Sequence, residues 1–192
     1  MFPFWALFLL VVCYFLGALP FGSWVARRHG VDLSRQGSGN TGAANTARTL
    51  GAKAGLTVLF LDAMKGFVAV FMAYFALLPG MLFPLTQVIF GFTAIVGHNF
   101  SIFQRFKGGK GIATTFGVVL ALSPKVCLLA SLVWLGMVGL TRFSSVGSLA
   151  AITSIPVLMV VYSPRWEYIL FGFAAAGLGF LRHRENLERL SQ

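Results

Sequence analysis

The chain has 192 residues, of which 57% are hydrophobic and only 10% charged, and it carries a formal net charge of +10. A soluble domain of this length has roughly 25% charged residues. The apolar residues also run in long uncharged stretches, so the composition excludes an ordinary water-soluble domain and points to an all-α polytopic membrane protein. The basic excess calls for anionic partners, and lipid headgroups or phosphorylated substrates suit a membrane chain better than nucleic acid.

The first apolar run, Met1 to Ala26, contains no charge. It lacks the basic start of a signal peptide and is too long for its apolar region, so it is expected to be a retained membrane helix. In all, seven apolar segments are expected, at 3–25, 54–78, 81–100, 111–123, 125–141, 144–162 and 165–181. The fourth is shorter than the roughly 20 residues a helix needs to cross a bilayer. Pro79, Pro84, Pro124 and Pro164 fall at or near the breaks, where helices stop. Cys13 and Cys127 lie in apolar runs and read as buried thiols.

Charge bias orients the seven spans. With the N-terminus outside, the inside segments hold Arg27, Arg28, Arg35, Arg48, Lys53, Arg105, Lys107, Lys110, Arg142, Arg182, Arg184 and Arg189. The outside segments hold only Lys125 and Arg165, a split of twelve to two. The C-terminus is then cytoplasmic, and three polar segments, 27–53, 98–115 and 182–192, share one face and can converge on one site. No internal repeat or long linker divides the chain, so residues 1–192 are expected to form a single domain.

The first polar segment is LSRQGSGNTGAANTARTLG, Leu33 to Gly51. Gly37, Gly39 and Gly42 permit close backbone approach to a ligand, and Ser34, Ser38, Asn40, Thr41 and Asn45 supply short donors and acceptors. Asn40 or Thr41 can cap a helix beginning near Ala43, with its N-terminus toward an anion. Inside the second apolar segment, Asp62 and Lys65 stand three residues apart. Ionisable groups there cost about 3 kcal/mol each on insertion scales, so they are expected to pair and to support the site from below.

The second polar segment is GHNFSIFQRFKGGKGIATT, Gly97 to Thr115. Lys107 and Lys110 bracket Gly108 and Gly109, and Gly111 follows. Successive glycine N–H groups can form an anion-binding concavity, and a helix starting at Ile112 adds its dipole. Lys110 is followed by Gly111, not Ser or Thr, so this is not a Walker A loop. The third segment, FLRHRENLERLSQ from Phe180, crowds His183, Arg184, Glu185 and Asn186 together. His183 and Asn186 share one helical face, as do Arg182 and Glu185. No zinc spacing, no H-x-x-x-x-D acyltransferase dyad and no G-x-S-x-G elbow occurs, so neither a metal nor a covalent enzyme intermediate is expected.

SRQGSGNTGAAN, GHNFSIFQRFKGGKGIAT and HREN, in that order, resemble the PlsY family of bacterial membrane glycerol-3-phosphate acyltransferases. LDAMKG, Leu61 to Gly66, also looks like a family feature, while NFSIFQR lacks a proline that the family pattern leads one to expect near Asn99–Ile102. The resemblance implies transfer of a fatty acyl group from acyl phosphate to the sn-1 hydroxyl of glycerol 3-phosphate. The products are 1-acylglycerol 3-phosphate (lysophosphatidic acid) and inorganic phosphate, with no cofactor, in the bacterial plasma (inner) membrane with the site facing the cytoplasm.

On that footing Gly108, Gly109, Lys110 and Gly111, with Thr114 nearby, are expected to hold the acyl-phosphate head. Ser34, Arg48, Lys107, His183 and Asn186 are expected to hold glycerol 3-phosphate, with Ser38 and Gly39 beside them. Asn40 and Asn45 either position the glycerol hydroxyls or brace their loop. His98 is the candidate general base, but acyl phosphate is already activated and its own phosphate can take the proton; the second route is favoured, because no carboxylate lies near His98 in sequence. A transporter or flippase of a phosphorylated solute also uses basic loops. It would place polar groups at mid-membrane in repeated halves, and neither feature is present.

Overall fold

The computed structural model describes residues 4–76 and 82–190. Ten α-helices follow in order: α1 Phe4–Ala18, α2 Phe21–Arg28, α3 Ala43–Leu50, α4 Ala52–Phe71, α5 Leu82–Asn99, α6 Ile112–Leu122, α7 Pro124–Thr141, α8 Ser144–Tyr162, α9 Trp166–Arg182 and α10 Arg184–Leu190. No strand occurs among the described residues. Each expected apolar segment is largely helical where it is described, though the first is broken at Leu19–Pro20. The expected break at Pro79 and the side chain of Arg189 lie outside the described residues.

Five segments are long and apolar enough to cross a membrane: Phe4–Arg28, Ala52–Ala76, Phe83–Gln104, Pro124–Thr141 and Ser144–Tyr162. The protein is therefore all-α and polytopic. α6 has only 11 residues and α9 has 17. The first segment is not one helix, since the chain breaks at Leu19–Pro20 between α1 and α2. Pro20 has no N–H to continue a helical ladder. The break leaves the Leu19 carbonyl to accept from Lys65 Nζ at 2.5 Å.

Two apolar clusters hold the bundle. Cys13, Ala69, Phe90 and Ala94 join α1, α4 and α5. Val70, Ile95, Val118, Val126, Ile152, Ile155 and Phe171 join α4 through α9. In lipid, apolar burial does not by itself drive helix association, and small residues that let backbones approach closely replace it. Gly66 and Gly117 do this where α4 crosses α6. A β-carbon at Gly66 would lie 2.1 Å from the Thr114 carbonyl oxygen, and one at Gly117 would lie 1.8 Å from that of Ala63. Any larger residue pushes α6 off α4, so this crossing seats the short helix beneath the polar segments. Outward-facing residues such as Phe8, Leu128, Leu140 and Phe173 are exposed, as a lipid-facing surface requires.

At the other end of the bundle Ser163 Oγ donates to Ser123 Oγ at 2.7 Å, tying the α8–α9 linker to the α6–α7 linker. Tyr168 Oη donates to Gln87 Oε1 at 3.0 Å between α9 and α5. These bonds satisfy buried polar groups away from the three polar segments, which meet at the opposite end.

Candidate active site

The first polar segment is organised by its own amides. Asn45, buried at the start of α3, accepts from the Ser38 N–H at 3.0 Å and donates to the Gln36 and Asn40 carbonyls at 2.9 Å each. Asn40 Oδ1 accepts from the Gly42 N–H at 2.8 Å just ahead of the helix. Gly37 and Gly39 have φ of +56° and +69°, which side chains with a β-carbon adopt at a cost. Asn45 therefore braces the loop. Ser34 is tied to Asp32, donating from both Oγ (2.7 Å) and N (3.0 Å) to Oδ1. Those bonds, with smaller contributions from Arg35 and Arg27, hold the Asp32 carboxyl below the usual carboxylate range.

The glycine segment behaves differently from the expected concavity. The Gly108 N–H donates to the Asn99 carbonyl at 3.2 Å, and the Gly109 N–H donates to the His98 carbonyl at 3.1 Å. Both amides are spent on the end of α5, so these two residues do not form an anion nest. Glycine is required here for close approach. A β-carbon at Gly108 would lie 2.0 Å from the His98 carbonyl oxygen, and one at Gly109 would lie 2.1 Å from His98 Nε2. The segment is a strap laid flat on α5. Gly111 ends it in the left-handed region, at φ +79°, and starts α6. Upstream, Gln104 Nε2 donates to Ser23 Oγ at 2.9 Å and Thr41 Oγ1 at 3.4 Å, linking this segment to α2 and to the first polar loop.

Beneath the strap, Asp62 and Lys65 pair as expected, at 2.6 Å, with 4% and 2% of their side chains exposed. Asp62 Oδ1 also lies 3.6 Å from His98 Nδ1, and Lys65 Nζ lies 3.5 Å from the same nitrogen. His98 has no carboxylate near it in sequence, but the fold supplies one in Asp62. The partner comes from α4, 36 residues earlier in sequence, and spacing along the chain gives no sign of it.

One cleft of about 700 Å³ gathers residues from all three polar segments: Ser38, Asn40, Asn45 and Arg48, then Asp62, His98, Lys110 and Gly111, then His183 and Asn186. Lys110 Nζ donates to Asn186 Oδ1 across it. His183 is buried at the end of α9, and its Nδ1 donates to the Gly179 carbonyl at 2.8 Å. That bond fixes the proton on Nδ1 and leaves Nε2 as an acceptor. Burial lowers the His183 pKa to about 4, against the Gly179 bond and with help from the Lys110 and Arg182 charges. His183 is therefore neutral near pH 7 and offers a lone pair, not a charge. The same cleft continues into an apolar half lined by Leu59, Phe116, Leu120, Trp134 and Leu135. Leu59, Leu120 and Leu135 are also exposed, so this half opens sideways toward lipid.

Several expected residues stand outside the cleft lining. Ser34, Gly39 and Lys107 are exposed, Thr114 is buried, and Lys65, Gly108 and Gly109 lie behind His98. Arg184 and Glu185 are exposed, and Arg184 meets Glu188 at 3.7 Å along α10. Two basic residues join the site without any signal in the sequence that marks them for it. Arg142, in the left-handed region at φ 65°, lines the cleft from the end of α7. Arg182 holds the strap from α9. Among the described residues no three His, Cys, Asp or Glu side chains gather to hold a metal ion.

Three polar segments thus close on a cleft that is basic at one end and apolar at the other. The sequence matches the glycerol-3-phosphate acyltransferase family over residues 7–192. The chain belongs to that family. The acyltransferase is 44% identical over 182 residues to glycerol-3-phosphate acyltransferase 2 of Moorella thermoacetica, covering 94% of this chain and 91% of the relative. It is 40% identical to the Aquifex aeolicus glycerol-3-phosphate acyltransferase, covering 96% and 95%. Its fold matches the crystal structure of PlsY, an integral membrane glycerol 3-phosphate acyltransferase, in the glycerol 3-phosphate form. That match has a TM-score of 0.89 at 39% identity and covers 96% of this chain and 91% of the other. The lysophosphatidic acid form of PlsY matches with a TM-score of 0.88.

Proposed function

We infer that the acyltransferase works as one domain of seven membrane helices, one of them short, in the bacterial plasma membrane with its cleft facing the cytoplasm. The support for the orientation is the twelve-to-two distribution of basic residues. The reaction is transfer of a fatty acyl group from acyl phosphate to the sn-1 hydroxyl of glycerol 3-phosphate, giving lysophosphatidic acid and inorganic phosphate. The observation that carries this reading is the single cleft with a basic polar end and an apolar end open to lipid. Two phosphorylated substrates, one with a long tail, need both ends.

In this reading Lys110 and Gly111 take the acyl-phosphate head, Arg48 and Asn186 take the phosphate of glycerol 3-phosphate, and His183 Nε2 accepts from one of its hydroxyls. The Lys110–Asn186 bond argues that the two subsites touch. The acyl tail lies along Leu59, Leu120 and Leu135. The sn-1 oxygen attacks the acyl carbonyl carbon, the bond from that carbon to the phosphate oxygen breaks, and the hydroxyl proton leaves with the phosphate. Lys110 neutralises charge gathering on the departing group, an interaction worth most when preorganised in a water-poor site.

His98 is assigned a positioning role. Its side chain is 10% exposed, its Nδ1 faces Asp62 and Lys65, and its Nε2 packs on Gly109. A base needs a free ring nitrogen within reach of the proton it takes, and here one nitrogen faces the Asp62–Lys65 pair while the other packs on Gly109. The test is product formation. Purified protein given a long-chain acyl phosphate and labelled glycerol 3-phosphate is expected to release lysophosphatidic acid and inorganic phosphate in equal amounts. Accumulation of free fatty acid with no labelled lipid would refute the reading.

A further inference from the structure

Arg182 is not one of the cleft-lining residues, yet its side chain grips the strap through three hydrogen bonds. Its Nη2 donates to the Gly108 carbonyl at 2.9 Å and to the Gly109 carbonyl at 3.2 Å, and its Nε donates to the Gly109 carbonyl at 3.3 Å. The guanidinium also lies over the Phe100 ring, 5.3 Å from its centroid. The opposite edge of the same two residues is bonded to α5, through the Gly108 and Gly109 N–H groups. The strap is thus held on one edge by the end of α5 and on the other by the end of α9.

Each anchor leads straight into the cleft. Directly after the strap come Lys110 and Gly111, and directly after Arg182 comes His183, with Asn186 one turn on; all four line the cleft. The bonds that Arg182 makes thus tie the start of the Lys110 segment to the start of the His183–Asn186 segment, beside the direct Lys110–Asn186 bond. We propose that Arg182 is a positioning residue for acyl transfer, a clamp that holds the Lys110 segment in register with the His183–Asn186 segment. The proposal rests on the cleft being the acyl-transfer site.

The acceptors are neutral carbonyls, so charge alone does not explain the residue. A guanidinium presents donors in a fixed planar fork and can serve two adjacent carbonyls at once. A lysine ammonium is a point charge on a flexible stem. Bonds from an ionised donor are also roughly twice as strong as neutral ones. A register error of about 1 Å at reacting groups costs on the order of 100-fold in rate.

The experiment compares the parent protein with Arg182→Lys and Arg182→Ala, all purified in detergent, with each substrate varied in turn. The parent makes lysophosphatidic acid. Arg182→Ala elutes as the parent does but loses about 100-fold in kcat, and Arg182→Lys does not recover it. Added ethylguanidinium restores part of the Arg182→Ala activity, and ethylammonium does not. The proposal is overturned if the lysine variant works like the parent, if both cations rescue equally or neither does, or if the alanine variant loses the parental elution profile. In the last case Arg182 holds the fold, not the register. A parent that makes no lysophosphatidic acid overturns the acyl-transfer reading itself, a result separate from any of these.

Discussion

Gly109 lies against the imidazole of His98 so closely that a β-carbon there would fall 2.1 Å from Nε2, while the Gly109 N–H donates to the His98 carbonyl at 3.1 Å. One residue thus covers both the ring and the backbone of the other. The ring has no room to yield, because Asp62 and Lys65 stand at its far side.

Gly109→Ala is therefore expected to lift the strap and carry Lys110 with it. A displacement of about 1 Å predicts a loss of roughly 100-fold in kcat with the protein still folded. Steady-state rates of the purified variant check this, and near-parental turnover would mean that the contact is not used.

The Asp62–Lys65 pair is buried, so losing one partner leaves an uncompensated charge. Lys65→Met alone is expected to destabilise by about 3–5 kcal/mol, and Asp62→Asn with Lys65→Met by much less. Thermal unfolding of the two variants in the same detergent distinguishes them. Equal losses would show that the pair is not coupled.

His183 binds protons less readily in the folded protein, with a pKa of about 4 against an ordinary 6.5. Its contribution to stability is whole above pH 6.5, because the unfolded chain then holds no extra proton. It is lost as the pH falls from 6.5 toward 4, where the unfolded chain takes up the proton first. The unfolding midpoint is expected to drop across that window, and to drop less in His183→Gln. Parallel pH curves for the two proteins would contradict this.

Orientation is open to labelling in a background without Cys13 and Cys127. Cysteine at Ser38 or Gln104 is expected to react with an impermeant thiol reagent only from the cytoplasmic side, and cysteine at Arg165 only from outside. Ser38 and Gln104 reacting from opposite sides would break the converging-segment arrangement.

The helices are legible in the sequence because spans of apolar residues leave few alternatives, and the short fourth segment stands out by length alone. Asp62 and Lys65 are legible as a pair for the same reason, since ionisable groups inside a span need partners. The His98 environment is not, because its neighbours come from α4 and proximity in space leaves no trace in spacing. A run of glycine fits donors aimed at a ligand and close packing equally well, and only the positions of the His98 and Asn99 carbonyls decide between them. Arg182 is hidden among the other basic residues of the tail, while Ser34 and Lys107 carry suitable chemistry but lie outside the cleft.

In the proposed mechanism the acyl phosphate takes the proton and His98 holds its surroundings in place. The pH–rate profile of His98→Gln beside the parent tests this most directly. The phosphate's own ionisation is expected to leave an acidic limb in both profiles, with the variant lower at every pH. Loss of that limb in a folded His98→Gln protein would contradict the mechanism and make His98 the base.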